Sequence, residues 1–349
     1  MTVSPGPGPR RPPPVVVSVV IVNWNSRQAL LDCLESLTAH PPPEPWEVVV
    51  VDNASSDGSV EAVRRGFPDV RCIANPTNRG LPAANNQGMA VSSGEALLIC
   101  NPDVIFDRGA VVAMVDLLHR QARAGIVVPR LRYPDGKLQT SAGDLPTLGD
   151  ALRGRQAQRR RARGSAGAAG GAVAAGPDGA AGPDVAGATS AGATSAGATS
   201  AQAAGAPAGF WWDGWAHDVE RPIGRGHEAA YLVRRSAAEA VGDQDERFPL
   251  DWEGIDWTDR FREAGWQVWL CPDAEVVHLG GASIRQVPFR WVVSSHRGMY
   301  RYFAKRRPAY WRPALAVVIG GRAAVKLAAT AVGVAMYERG HRDRAESGD

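Results

Sequence analysis

Cysteine is scarce: the 349 residues hold four, Cys33, Cys72, Cys100 and Cys271, scattered and without a CxxC pair. That excludes a zinc knuckle or a disulfide framework as the organising device, and free thiols in a reducing cytosol are the plainer reading. Charge of one sign is also scarce. A net charge of +3 is too small for a binder that works by neutralising phosphates, and no nucleic-acid motif accompanies it, so nucleic acid is not an expected partner. The Pro- and Gly-rich start, residues 4–14, lacks the basic, apolar and small-residue sections of a secretory signal. No apolar run reaches the ~18 residues expected of a membrane-spanning helix. The nearest stretch, 314–337, is interrupted by Arg322 and Lys326. GxxxxGK[ST] is absent and no GxGxxG follows the first strand-like segment, so neither a P-loop nor a dinucleotide-binding turn is supported.

What is present is an ordinary globular composition, 44% hydrophobic and 21% charged, enough to bury a core. Over the first 130 residues, β-branched runs (15–22, 47–51, 70–74, 96–100, 125–129) alternate with helical patterns (27–39, 58–66, 81–91, 108–124). Ser26 and Asp57 are candidate caps for the first two helices. Strands alternating with helices predict an α/β fold with a mostly parallel sheet covered on both faces. Residues 151–209 differ: a basic run gives way to Ala, Gly, Ser, Thr and Pro, with Ala-Gly-Ala-Thr-Ser repeated in tandem over 186–200. Such side chains bury too little area to offset chain entropy, so a disordered insertion is expected there. The organisation expected is therefore a disordered start (1–14), a first half-domain (15–150), the insertion (151–209), a second half-domain (210–289) and a basic helical tail (290–349). In the second half, a strand at 231–233, a helix over 248–264 with Gly265 as C-cap, and short strands at 266–270 and 276–278 are predicted.

In an open parallel sheet, ligands bind beyond the carboxyl ends of the strands. Polar groups occur at three such ends: Asn23-Trp24-Asn25, Asp52-Asn53-Ala54-Ser55 and Asn101-Pro102-Asp103. One such group is ordinary turn chemistry. Three at one sheet edge indicate a site.

These groups carry a resemblance. Val17-Ser18-Val19-Val20-Ile21-Val22-Asn23-Trp24-Asn25, Val48-Val49-Val50-Val51-Asp52-Asn53-Ala54-Ser55-Ser56-Asp57-Gly58-Ser59, Asn78-Arg79-Gly80 with Ala84-Asn85-Asn86-Gln87-Gly88, and Asn101-Pro102-Asp103 resemble family 2 glycosyltransferases, in particular the bacterial rhamnosyltransferase-like branch. The likeness resumes at Asp245-Glu246-Arg247-Phe248, Trp252-Glu253-Gly254-Ile255-Asp256 and Val277-His278-Leu279-Gly280-Gly281-Ala282-Ser283. The resemblance implies a GT-A fold, a nucleotide-diphosphate sugar donor and a divalent cation, Mg²⁺ or Mn²⁺. It implies donor contacts at Asn23, Asn25, Asp52, Asn53, Arg79, Asn85, Asn101 and Asp103, with Asp52 near the base and Arg79 near the diphosphate. It places the cation at Asp103, with Asn101 in the first position of the family's D-x-D motif and His278 within reach. The chemistry agrees: charge builds on the departing diphosphate, and a hard cation with oxygen ligands absorbs it.

A base must also deprotonate the acceptor hydroxyl. Family members often carry Glu-Asp-x-Asp at the start of the acceptor-side helix, whereas here Gly254 stands where that Asp is expected. Glu253 and Asp256 remain, three apart and so on one helical face, with Asp251 nearby. Acidic residues also collect at helix starts for dipole reasons alone. Glu253 is the first choice as base and Asp256 the second. The missing Asp keeps a non-catalytic nucleotide-sugar binder in view, and a nucleotidyltransferase making nucleotide sugars is a further alternative, although its Gly-rich signature is absent after Asn23.

The aromatic stretch Phe210, Trp211, Trp212 and Trp215 either packs or stacks on sugar rings. The tail interleaves Arg297, Arg301, Lys305, Arg306, Arg307 and Arg312 with Tyr300, Tyr302, Phe303, Tyr310 and Trp311. That pattern suits peripheral contact with the inner face of the cell membrane by a cytoplasmic enzyme, or simply a solvated basic helix face. The expected reaction is inverting transfer of a sugar, L-rhamnose from dTDP-rhamnose by resemblance, to a glycan or lipid-linked glycan acceptor.

Overall fold

A computed structural model describes residues 16–153, 210–248, 250–280 and 287–347, with side chains described up to 332. The expected disordered start and nearly all of the expected insertion lie outside these residues, as does Gly281-Ala282-Ser283.

The chain opens with β1 (Val17–Asn23), α1 (Arg27–Ala39), β2 (Trp46–Asp52), α2 (Ser59–Gly66), β3 (Arg71–Ala74), α3 (Leu81–Val91) and β4 (Ala96–Cys100). Every residue of β1 and β4 is buried, as befits strands covered on both faces. Next come β5 (Val104–Phe106), α4 (Ala110–Arg120), β6 (Ala124–Arg132), β7 (Leu138–Gln139) and β8 (Ala142–Gly143). After the insertion follow β9 (Arg221–Ile223), β10 (Arg225–Gly226), β11 (Ala230–Arg234), α5 (Arg235–Val241), α6 (Glu253–Glu263) and β12 (Gln267–His278). The chain ends in α7 (Pro288–Lys305) and α8 (Arg312–Ser347).

The main sheet runs β3-β2-β1-β4-β11-β6-β12-β5. β3, β2, β1 and β4 are mutually parallel, and β6 is parallel to β12. β11 is antiparallel to both β4 and β6, so a strand from after the insertion completes the sheet begun before it. This is the mixed, mostly parallel α/β architecture the sequence predicts. Alternation along β1 sorts its side chains: Val17, Val19 and Ile21 pack with α1 and α4, while Val20 joins α6 residues Trp257 and Phe261 on the other face. Each such buried aliphatic contributes about 1.5–3 kcal/mol.

Four sequence expectations are corrected. The helix expected from 248 begins at Glu253, because Asp251 and Trp252 have φ of 68° and 73°, outside the right-handed region. The helix expected over 108–124 is Ala110–Arg120, preceded by Gly109 at φ 83°. The strands expected at 266–270 and 276–278 are one, β12, with a register shift between Cys271 and Glu275. Finally, Ala309–Val332 is long and apolar enough, at mean hydropathy 1.7, to cross a membrane by length and composition. Arg322 and Lys326 do not break the helix, and Arg322 turns inward: its Nε donates to the Leu152 carbonyl at 3.0 Å.

Candidate active site

The polar turns meet because β1, β2 and β4 are in parallel register, Asn23 beside Asp52 and Ile21 beside Cys100. Asn23 Nδ2 donates to Asp52 Oδ2 (2.9 Å) and to Ser55 Oγ (3.2 Å). The Ser55 amide donates to Asp52 Oδ1 (2.8 Å), and Ser55 Oγ accepts from the Asn25 amide (2.9 Å). Asn25 Oδ1 accepts from the Ser56 amide at 2.8 Å. Asn53 ties in the next turn: its Oδ1 accepts from Asn75 Nδ2 (3.1 Å) and the Arg79 amide (3.3 Å), and its Nδ2 donates to the Gly80 carbonyl (3.1 Å). Holding this shape puts Asn25 and Ala54 at φ of 48° and 65°, a conformation that costs an L-residue roughly 1–2 kcal/mol. Asn23 Oδ1 is buried and accepts no hydrogen bond. An unsatisfied buried acceptor is costly and calls for a donor from elsewhere.

The loop after β4 brings Asp103 to His278 at the end of β12. Both are buried, with His278 Nε2 3.5 Å from Asp103 Oδ1. The Leu279 amide donates to the Asp103 carbonyl at 3.0 Å, and His278 Nδ1 lies 3.2 Å from Gln139 Oε1. The ring therefore faces an amide at Nδ1 and the carboxylate at Nε2. The His227 ring stacks edge-on against His278 at 5.2 Å. Among the described residues, no three His, Cys, Asp or Glu side chains gather as a metal cluster.

A small cavity of about 20 Å³ lies between the two halves, lined by Asn85, Asn101, Glu228, Gln244, Glu253 and Gly254 among others. Glu253 and Asp256 stand in different environments. Asp256 is fully buried and neutralised: Lys305 Nζ lies 3.0 Å, Arg306 Nη1 2.8 Å and Arg260 Nε 3.2 Å from its carboxylate. Glu253 is buried with Oε2 accepting no hydrogen bond; burial, then the Glu228 and Asp251 charges, raise its pKa well above the carboxylate range. Glu228, on the loop between β10 and β11, is half-buried, and desolvation followed by repulsion from Asp251 raises its pKa to about 7. It accepts from the amides of Gly254 and Ile255, the second and third residues of α6. Trp252, the N-cap, makes no side-chain cap, so Glu228 takes that part from another loop. A Cβ at position 254 would sit 2.3 Å from Glu228 Cδ and 2.6 Å from its Oε2. The carboxylate missing at Gly254 is thus replaced in space by Glu228.

Residues 18–174 match the family model described as glycosyl transferase family 2. The chain carries a family 2 glycosyltransferase domain over those residues. This glycosyltransferase is 28% identical over 326 residues to the N-acetylglucosaminyl-diphospho-decaprenol L-rhamnosyltransferase of Mycobacterium tuberculosis, covering 89% of this chain and 91% of the relative. It is 31% identical over 114 residues to the uncharacterized glycosyltransferase YwdF of Bacillus subtilis, covering 30% of this chain and 41% of the relative. Among solved structures it resembles the mannosyltransferase PcManGT from Pyrobaculum calidifontis in complex with GDP-Man and Mn²⁺, with TM-score 0.49 and 18% identity, covering 94% of this chain and 80% of that one.

Within the glycosyltransferase, the structure brings together Asn23, Asn25, Asp52 and Asn53 in one network, and Asp103 with His278. Asn101 is set apart from that pair: its amide donates to the Ala229 carbonyl (2.9 Å), and it lines the cavity with Glu228 and Glu253. Asn85 Nδ2 donates to Gln244 Oε1 at 3.0 Å, so it joins the halves as well as lining the cavity. Arg79 is exposed, connected to the network through its backbone amide. Glu228, Gln139 and His227 escaped the sequence reading. The only local signal is a His-Glu pair just ahead of the strand at 231–233, and nothing in the sequence pairs position 228 with position 254.

Proposed function

We propose that this glycosyltransferase transfers L-rhamnose from dTDP-rhamnose, with inversion, to an N-acetylglucosamine carried on a diphosphate lipid, at the inner face of the cell membrane in cell-wall polysaccharide synthesis. The observation that carries the reading is the Glu228 carboxylate at the Gly254 position, beside Glu253 and facing Asn101 across one cavity. A carboxylate in that place answers the missing Asp that kept a non-catalytic role in view. The mycobacterial relative, matched along most of both chains, supports the sugar and the acceptor.

In the mechanism, Asp52, Asn23 and Asn53 hold the nucleotide at the ends of β1 and β2. Glu228 removes the proton of the acceptor hydroxyl as that oxygen attacks the anomeric carbon from the face opposite the leaving diphosphate. Glu253, kept protonated by burial, limits negative charge beside the nucleophile. The residues present fit a divalent cation: a carboxylate oxygen of Asp103 and a ring nitrogen of His278, 3.5 Å apart, would hold it. When bound there, Mg²⁺ or Mn²⁺ supplies charge stabilisation to the departing nucleoside diphosphate. Asp256 stays an ion-paired anchor.

The experiment is a transfer assay with dTDP-rhamnose and lipid-linked N-acetylglucosamine, with and without Mn²⁺, beside calorimetry with dTDP and UDP. Metal-dependent transfer and selective dTDP binding are expected. Binding or transfer confined to UDP-sugars would overturn the donor, and dTDP binding without turnover would overturn catalysis.

A further inference from the structure

A groove of about 1030 Å³ runs between α7 and the start of α8. Arg297, Arg301 and Lys305 recur every four residues along α7 and so share one of its faces; Arg247 and Arg312 complete the cationic side. Among the described residues, no Asp or Glu lines it. Arg247 forks onto Asp245 at 2.8 and 2.7 Å, and Lys305 is drawn to Asp256 at 3.0 Å. Arg297, Arg301 and Arg312 have no carboxylate partner among the described residues. The other wall is apolar, with Val293, Ala316, Ile319 and Ala323. Beyond it, α8 exposes Val317, Val318 and Val325.

Three guanidinium groups with no carboxylate partner among the described residues line one groove, and an anion seated there would pair with them. Guanidinium forks suit phosphate oxygens in paired hydrogen bonds. A groove with a cationic wall and an apolar wall matches an amphiphile whose head is anionic and whose tail is hydrocarbon. We propose that this groove binds the diphosphate of the prenyl-linked acceptor, with its first prenyl carbons against the apolar wall and the chain leaving along α8. The inference rests on the diphosphate-lipid acceptor proposed above.

Its position suits that task. The same helix that carries the cations abuts Asp251, whose charge acts on Glu228: Trp291 Nε1 donates to Asp251 Oδ2 at 3.1 Å, and Gly298 lies so close that a Cβ there would be 2.8 Å from the Asp251 carbonyl. α7 therefore links the diphosphate to the segment that opens α6, where the acceptor sugar is deprotonated.

The test uses the full chain and flotation with phosphatidylcholine vesicles carrying either undecaprenyl diphosphate or phosphatidylglycerol at equal surface charge. The wild-type chain is expected to prefer the diphosphate vesicles by about tenfold or more, and Arg297→Gln/Arg301→Gln/Arg312→Gln to lose that preference. Arg301→Lys alone, which keeps the charge, should retain most of it, and unchanged dTDP binding certifies the fold of each variant. Equal wild-type binding to both vesicles would overturn the proposal, leaving a general basic surface. A triple variant that keeps the preference would overturn it too. Because flotation needs no turnover, a chain that prefers diphosphate vesicles yet transfers no rhamnose would sink the proposed reaction and leave the groove assignment standing.

Discussion

At the scale of single residues, the proposed chemistry turns on Glu228, a carboxylate that burial and the Asp251 charge keep protonated up to about pH 7. A base of that pKa becomes active as pH rises through neutrality. The rate of transfer should therefore climb between pH 6 and 8. Glu228→Gln should lower kcat by about 10²–10⁴ and abolish that limb; Asp251→Asn, removing the repelling charge, should move the limb to lower pH. Transfer at full rate by Glu228→Gln would sink the assignment. The same shift has a stability consequence of fixed sign. A carboxyl whose folded pKa is raised from 4.5 to about 7 binds its proton more tightly in the folded chain, so its contribution to stability is full below about 4.5 and is lost as pH rises through 7. Tm measured across that window should fall less in Glu228→Gln than in the wild type. Gly254→Ala tests the geometry differently. Its Cβ would meet the Glu228 carboxyl, so activity should drop although no ionisable group has been removed.

At the scale of elements, Asp256 fastens α6 to α7. Lys305 and Arg306 reach it from the end of α7, and Arg260 from one turn along α6. Asp256→Asn leaves these cations facing a neutral amide. Breaking a buried pair typically costs about 3–5 kcal/mol, and the lower end applies because such a pair is partly open to water; here the Lys305 side chain is 34% exposed. Urea denaturation should show that loss, while the acceptor-dependent pH limb stays near 7. A stable Asp256→Asn that has lost the limb would return Asp256 to the role of base. These contacts mark where the sequence was legible. β1, β4 and α3 could be bounded closely, because hydrophobic runs and turn residues are local signals. Caps were less legible: Ser26 makes no side-chain cap to α1, and Asp57, from the loop after β2, accepts from the Arg27 amide at 2.8 Å instead. The start of α6 misled for a related reason, since two left-handed non-glycine residues precede it and a distant loop supplies its cap. Donor-side residues lie on turns the sequence announces, whereas Glu228 meets Gly254 only through the sheet.

At the scale of the whole molecule, one end of the enzyme presents an apolar outer face. α8 packs on α7 through Leu315 and Ile319, yet Val317, Val318 and Val325 are 75%, 47% and 71% exposed, and Tyr310 at its foot is 76% exposed. An apolar face this extended is unusual for a surface that meets only water. Arg322 does not spoil it, being drawn inward to His296 Nε2 at 2.5 Å and to the Leu152 carbonyl. Basic residues on α7, aromatics at the turn and an apolar helix beyond suit an enzyme that takes a soluble donor on one side and a lipid-borne acceptor on the other. Two attractions should then be separable. Val318→Asp/Val325→Asp removes apolar contact and leaves the arginine groove intact, so vesicle association should fall for neutral and anionic vesicles alike and persist poorly at high salt. The groove variant should instead lose only the diphosphate preference, because hydrocarbon burial is insensitive to ionic screening. dTDP binding should be unchanged in both, since the donor network lies at the ends of β1 and β2. Co-sedimentation over a salt series reads the difference, and a valine variant that associates with vesicles as tightly as the wild type at every salt concentration would show that α8 faces something other than a bilayer.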